Sequence, residues 1–225
     1  MRCSESIDDL LVWQLADSAF PTGGFAHSSG LEAAWQQGEV SNSADLRAFM
    51  EAFLVQLGRG ALPFVLAAHD HPDSLPQLDS HFDAFTLNHV ANRASRLQGQ
   101  AFLSSCGRIF QLPEAARWRL GAARLPCSHL APSFGAVLRL LGLSREVTGQ
   151  VYLFNSLKNL LAAAVRLGVA GPMEAQTLQF HARGTLQQIW ERCSQLGVED
   201  AVQTAPLPDL WQANQDRLYS RLFQS

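Results

Sequence analysis

Apolar residues that recur at spacings of three and four restrict this chain to helices. Leu46, Phe49, Met50, Phe53, Leu54 and Leu57 form one such stripe, the pattern of a helix laid against a core. Asn42 or Ser43 stands where a cap is needed, Asp45 occupies the first turn where the helix dipole favours negative charge, and Gly58 is placed to end the run. From Leu87 to Phe102 the stripe is built of smaller residues, Val90, Ala91, Ala94, Gln98 and Ala101, which permits close approach of a second helix and leaves Arg93 and Arg96 off the stripe. Pro172 follows Gly171 as a first helical residue, and Leu178, Ala182, Thr185, Leu186, Ile189, Cys193 and Leu196 predict one long helix. After Pro206 and Pro208, Asp209 is positioned to cap a last helix that turns Trp211, Leu218, Leu222 and Phe223 toward one side. Connectors are predicted at His69 to Ser80 and at the proline-punctuated stretch from Leu112 to Pro132. Alternating runs are few, Asn-Gly and Asp-Gly hairpin signals are absent, and no repeat of fixed period occurs. The expectation is an all-α, single-domain bundle over residues 1–225 with about eight to ten helices. Residues 1–16 are a lead-in and 206–225 a C-terminal segment suited to docking a partner.

With 225 residues, 47% of them apolar, the chain can bury a full core. A net charge of -3 gives no bulk attraction to nucleic acid or to an anionic membrane. Cys3, Cys106, Cys127 and Cys193 lie far apart with no CxxC pair, which predicts reduced thiols in a cytoplasmic protein rather than a disulfide framework or a zinc cage. Met1 to Asp9 lacks the basic and apolar regions of a secretory signal. Val151 to Val169 is apolar but carries Asn155, Lys158, Asn159 and Arg166, so it reads as a buried helix and not as a membrane span.

The segment DSAFPTGGFAHSSGLEAAW, Asp17 to Trp35, is a corner between helical runs. Pro21 fixes φ, Gly23 and Gly24 tolerate positive φ, and Phe20 and Phe25 would fold the loop back on the body to present His27, Ser28 and Ser29. His27, Ser28 and Glu32 contain the residue types of a base, nucleophile and orienter. No G-x-S-x-G elbow is present, however, and Ser28 or Ser29 serves equally as a cap for a helix from Leu31. His69, Asp70, His71 and Asp73 could offer ligands to Ni or Zn, as could Cys127 with His129, but short runs of this kind fit a solvated loop or a cysteine beside a helix start better than a formed site. Neither a GxxxxGK[ST] cradle nor a GxGxxG turn occurs, so no nucleotide chemistry, catalytic residue, resident metal or cofactor is assigned. Arg108, Arg117, Arg119 and Arg124 read as a solvated basic face. Trp211, Tyr219, Leu222 and Phe223, with Arg217 and Arg221, have the composition of interface anchors as well as of core.

In spaced blocks the chain resembles the UreF family of urease accessory proteins. The blocks are WQLADSAFPTGGFAHSSGLEAAW from Trp13, NRASRLQGQAFL from Asn92, HLAPSFGAVLRLLGL from His129, YLFNSLKNLLAAAVRLGVAGPMEAQ from Tyr152, and YSRLFQS at the end of the sequence. Val169 to Pro172 replaces the Pro-Leu-Gly-Gln-like turn of many members and is similar to the eukaryotic branch, while Gln215 and Asp216 stand where many bacterial members have a His-Glu pair. The resemblance implies a non-enzymatic, all-α assembly factor. It would bridge a UreD/UreH-type scaffold and the GTPase UreG on apo-urease for GTP-dependent nickel insertion, as a homodimer within the complex. By position, Tyr219, Arg221, Leu222 and Phe223 would be tail contacts to the UreD-like partner, and Pro21, Gly23, Gly24, Phe25 and His27 would shape a surface near the dimer or UreG interface. The alternative is a metallochaperone that carries nickel itself through His69, His71 or His27.

Overall fold

A computed structural model describes residues 5–120 and 124–225. Cys3 lies outside the described residues. Among those described, the chain forms α1 (Glu5–Ala16), α2 (Leu31–Gln36), α3 (Ser43–Gln56), α4 (Leu62–Asp70), α5 (Leu75–Phe85), α6 (His89–Ile109), α7 (Pro113–Leu120), α8 (Leu130–Leu140), α9 (Arg145–Arg166), α10 (Pro172–His181), α11 (Arg183–Cys193) and α12 (Pro206–Ala213), with no strand. The all-α expectation holds.

Three helix starts, those of α3, α6 and α9, carry side-chain caps. Asn42 Oδ1 accepts the amides of Ala44 and Asp45 at 2.8 and 3.1 Å, Asn88 Oδ1 those of Val90 and Ala91 at 3.0 and 3.3 Å, and Ser144 Oγ that of Val147 at 3.2 Å. Each cap satisfies amides that the first turn leaves without a helical partner. Pro172 occupies the first position of α10, where its missing N–H costs nothing.

Five local expectations are corrected. Gly58 does not end its helix: Leu57–Ala61 form a π-helical turn that joins α3 to α4. A Cβ on Gly58 would overlap the Ile189 side chain, so this glycine lets α11 pack close. The stripe from Leu178 to Leu196 is two helices, because the chain breaks at Ala182, where Arg183 Nε donates to the Phe180 carbonyl at 3.0 Å and its guanidinium lies 3.8 Å over the Phe180 ring. Asp209 lies inside α12, whose cap position is Ala205. Gln56 grips that helix start, accepting from the Ala205 amide at 2.6 Å and donating to Asp209 Oδ1 at 2.8 Å. The segment after Ala213 is not an amphipathic helix; beyond a short turn at Gln215–Arg217 it runs without regular structure. The connectors are shorter than predicted, since α5 and α7 form within them and His69 belongs to α4.

At the centre lie α4 and α8, flanked by α6, α9 and α5. Phe64, Val65, Leu66, Phe134, Ala136, Val137 and Leu138 are all buried, so both central helices are apolar around most of their circumference. A Cβ on Gly135 would collide with the Val65 carbonyl, and its absence allows the two backbones to meet. Ser43–Asp70 has the length and hydropathy of a membrane span, yet Leu46, Leu54, Leu62 and Leu66 are buried against other helices, as expected of a core helix in a packed domain. In α9, Leu153, Leu157, Leu160, Leu161 and Ala164 face the same core, the buried helix predicted from Val151 onward. On the outside of α9, Lys158 Nζ donates to the Ala16 carbonyl at 2.6 Å and Asn155 Nδ2 to that of Leu15 at 3.1 Å, which fixes α1 on the bundle.

Candidate functional site

Between α1 and α2 the chain makes the predicted corner. Gly23 takes φ 75° and Gly24–Ala26 close one 3-10 turn. Phe20 turns inward and stacks on Phe110, ring centroids 6.0 Å apart. Phe25 does not fold back as expected: it is 66% exposed, because the turn aims it outward. Arg166 covers one of its faces, with the guanidinium 3.8 Å from the Phe25 ring and 4.2 Å from that of Phe223. Pro21 and Gly23 are exposed and Gly24 is buried against Asn159. His27 and Ser28 are buried.

Against this corner lies the last segment of the chain. The Ser28 amide and hydroxyl both donate to the Ser225 carbonyl, at 2.5 and 3.1 Å, and the Gln224 amide donates to the Ala26 carbonyl at 2.8 Å. His27 Nδ1 and Ser225 Oγ are 2.5 Å apart. Glu32 completes the clasp. Its carboxylate, 1% exposed, accepts the amides of Leu222 and Phe223 at 2.5 and 3.1 Å and the Gln215 side-chain amide at 2.6 Å. Asp216 adds an outer tie, 2.7 Å from Arg93, 3.3 Å from Arg221 and 3.5 Å from His89. These contacts hold its carboxyl below the usual range, the Arg93 hydrogen bond first among them.

Behind the clasp is a cavity of about 380 Å³ bounded by Thr22, His27, Tyr152, Lys158 and Asp209. Burial, with a smaller contribution from the charge on Arg93, lowers the His27 pKa to about 4, so the imidazole is neutral at physiological pH. Burial also lowers the Lys158 pKa and raises that of Asp209.

The proposed tail contacts divide into two sets. Tyr219 is 105% exposed and Leu222 53%, and Arg221 is exposed, whereas Phe223 is 3% exposed and packs in the core. Phe223 is therefore an anchor of the segment and not part of its outer face. Sequence reasoning missed Glu32 as the clasp's acceptor and Ser225 as its partner; a single acid in the short apolar run LEAAW was the available signal.

The arrangement does not assemble the base, nucleophile and orienter weighed from sequence. His27 faces Ser225 instead of Ser28, Ser28 Oγ is 3.4 Å from the Glu32 amide as a helix-start acceptor, and the Glu32 carboxylate is occupied by the tail. Of His69, Asp70, His71 and Asp73 only the first two meet, with His69 Nδ1 3.2 Å from Asp70 Oδ1, and among the described residues no third donor joins them. His69 is buried with Nε2 2.9 Å from the Leu143 carbonyl, Asp70 pairs with Arg145 at 2.9 Å, and His71 and Asp73 are exposed. Instead Asp83, Cys127 and His129 come together, with one donor atom of each within 4.8 Å of the others. There burial and the neighbouring Asp83 raise the Cys127 thiol to about 11, while hydrogen bonds from Asn92 and His129 lower the Asp83 carboxyl.

Compared with known proteins, residues 40–183 match the family profile UreF. Urease accessory protein F of Arabidopsis thaliana is 39% identical over 219 residues, covering 95% of this chain and 91% of that protein. Urease accessory protein F of Oryza sativa subsp. indica is 38% identical over 216 residues, 94% of this chain and 83% of its own length. Urease accessory protein UreF of Arthrobacter sp. (strain FB24) is 30% identical over 218 residues, with 96% of each chain covered. The two plant alignments span 94% and 95% of the chain, more than the 40–183 segment that the family profile matches.

Proposed function

The chain belongs to the UreF family of urease accessory proteins, and from that membership we propose that it is a non-catalytic assembly factor of urease maturation. In this reading it bridges a UreD/UreH-type scaffold and a UreG-type GTPase on apo-urease in the cytoplasm, and acts as a homodimer within that complex during GTP-dependent nickel insertion. The role needs complementary surfaces and a differential affinity for two states of the GTPase, with no reaction centre of its own.

The observation that carries the reading is the clasped tail. Glu32 and Ser28 fix the backbone of the last segment, so Tyr219 and Leu222 project from an ordered support. A pre-ordered aromatic and aliphatic pair loses little conformational entropy on docking. Exposed Phe25, stacked on Arg166, lies at the same clasp and extends that surface toward the corner.

The test is co-purification of the chain with UreD-like and UreG-like partners. Deleting the tail would also remove Phe223 and Ser225 from their buried positions, so the variant of choice is Tyr219→Ala with Leu222→Ala. The reading expects a ternary assembly with the native chain, and loss of scaffold capture by the double variant at unchanged helix content. Assembly with neither partner would overturn the function. Undiminished assembly by the double variant would overturn the tail assignment.

A further inference from the structure

We propose that Asp83, Cys127 and His129 form a binding site for one divalent transition-metal cation of the zinc class, located between α5 and the start of α8 and separate from the clasp.

The donor set is one carboxylate oxygen, one thiol sulfur and one imidazole nitrogen, all within 4.8 Å of one another. In a tetrahedral site with bonds of about 2.0 to 2.3 Å, neighbouring donors stand about 3.5 Å apart. The separation of 3.0 Å between His129 Nε2 and Asp83 Oδ1 is slightly short of that spacing. Reaching it requires the partly exposed Asp83 carboxylate to move about half an ångström from the buried imidazole. Mixed nitrogen, sulfur and oxygen donors suit zinc and cobalt(II) and disfavour magnesium or calcium, which take oxygen ligands. Three protein ligands leave a fourth position for water, and partial exposure of Asp83 and Cys127 gives the cation a route in.

The surroundings hold two of the three ligands in place. Asp79, wholly buried, accepts the amides of Cys127, Ser128 and His129 at 2.7, 2.9 and 2.7 Å. Between the ligands Ser128 sits at φ 63°, a left-handed conformation that a non-glycine residue keeps only when its neighbours enforce it. The Asp79 carboxylate supplies that enforcement and so fixes the two flanking ligands relative to each other. Asn92 Nδ2 donates to Asp83 Oδ1 at 2.9 Å and orients the third. His129 is fully buried and its Nδ1 has no partner, so nothing beyond the Asp83 contact pins the ring's tautomer. Metal binding displaces the thiol proton and the proton at Nε2; the first leaves to solvent and the second is replaced by one at Nδ1.

The test uses the purified full chain without an affinity tag, dialysed and then titrated with zinc or cobalt(II) alone. One retained equivalent is expected, and the cobalt form should show thiolate-to-metal charge-transfer absorption. Cys127→Ser should abolish that absorption, and both it and Asp83→Asn should weaken zinc binding at least tenfold at unchanged helix content. Because His129 is fully buried and its replacement could unfold the chain, these two partly exposed positions keep the test decisive. Failure to retain either metal, or retention indifferent to both substitutions, would overturn the proposal. The outcome is independent of whether the chain captures UreD-like or UreG-like partners.

Discussion

Glu32 places a carboxylate in the interior and surrounds it with donors from a segment about 190 residues away in sequence. Replacing it with alanine leaves the Leu222 and Phe223 amides without an acceptor, and a buried unpaired donor costs about 1–3 kcal/mol. Glu32→Ala is therefore expected to lower stability by about 2–5 kcal/mol in urea denaturation and to speed hydrogen exchange of the last residues first. Glu32→Gln, which retains an acceptor oxygen, should lose less. His27 makes a second prediction. Its folded pKa of about 4 lies below the ordinary 6.5, so the unfolded chain binds a proton more readily than the folded one. The contribution of neutral His27 is fully present above about pH 6.5 and is lost as pH falls toward about 4, at a cost of up to about 3 kcal/mol. His27→Gln should flatten the denaturation midpoint across that interval.

Helix α2, the corner and the last segment act as one element although they are distant in the chain. The outer and inner residues of the tail should separate cleanly in experiment. Phe223→Ala removes a buried ring that packs under Arg166 and is expected to cost about 3–5 kcal/mol in urea denaturation. Tyr219→Ala removes a fully exposed ring and should change stability by no more than about 0.5 kcal/mol, while it weakens capture of the UreD-like partner in a pull-down. The cap at Asn42 was readable because an N-cap is a local contact, made within three residues. The π turn at Leu57–Ala61 was not. Its glycine carries the same local signal as a helix stop, and only the closeness of Ile189 on α11 shows why the helix continues.

Across the whole molecule the buried side chains form one continuous core from Leu15 in α1 to Phe223 near the end of the sequence. Such a core predicts cooperative unfolding, so urea transitions followed by far-ultraviolet circular dichroism and by tryptophan fluorescence should coincide, and separated midpoints would reveal independent units. The same packing explains how Asp83, Cys127 and His129 meet: α5 and the approach to α8 are about 45 residues apart in sequence and are joined by the Asp79 hydrogen bonds. By itself the sequence determined the helical class, the helix starts at Leu31, Ser43 and Pro172, the corner at Pro21 to Gly24 and the family, because periodicity, caps and turn residues act within a few positions and the family blocks are linear strings. Tertiary structure alone decided that the tail folds back onto Glu32, that Phe25 points outward while Phe223 points inward, and that Asp83, Cys127 and His129 share one site. Those outcomes depend on which side chains are brought together by burial of the common core, and no local pattern records such distant neighbours.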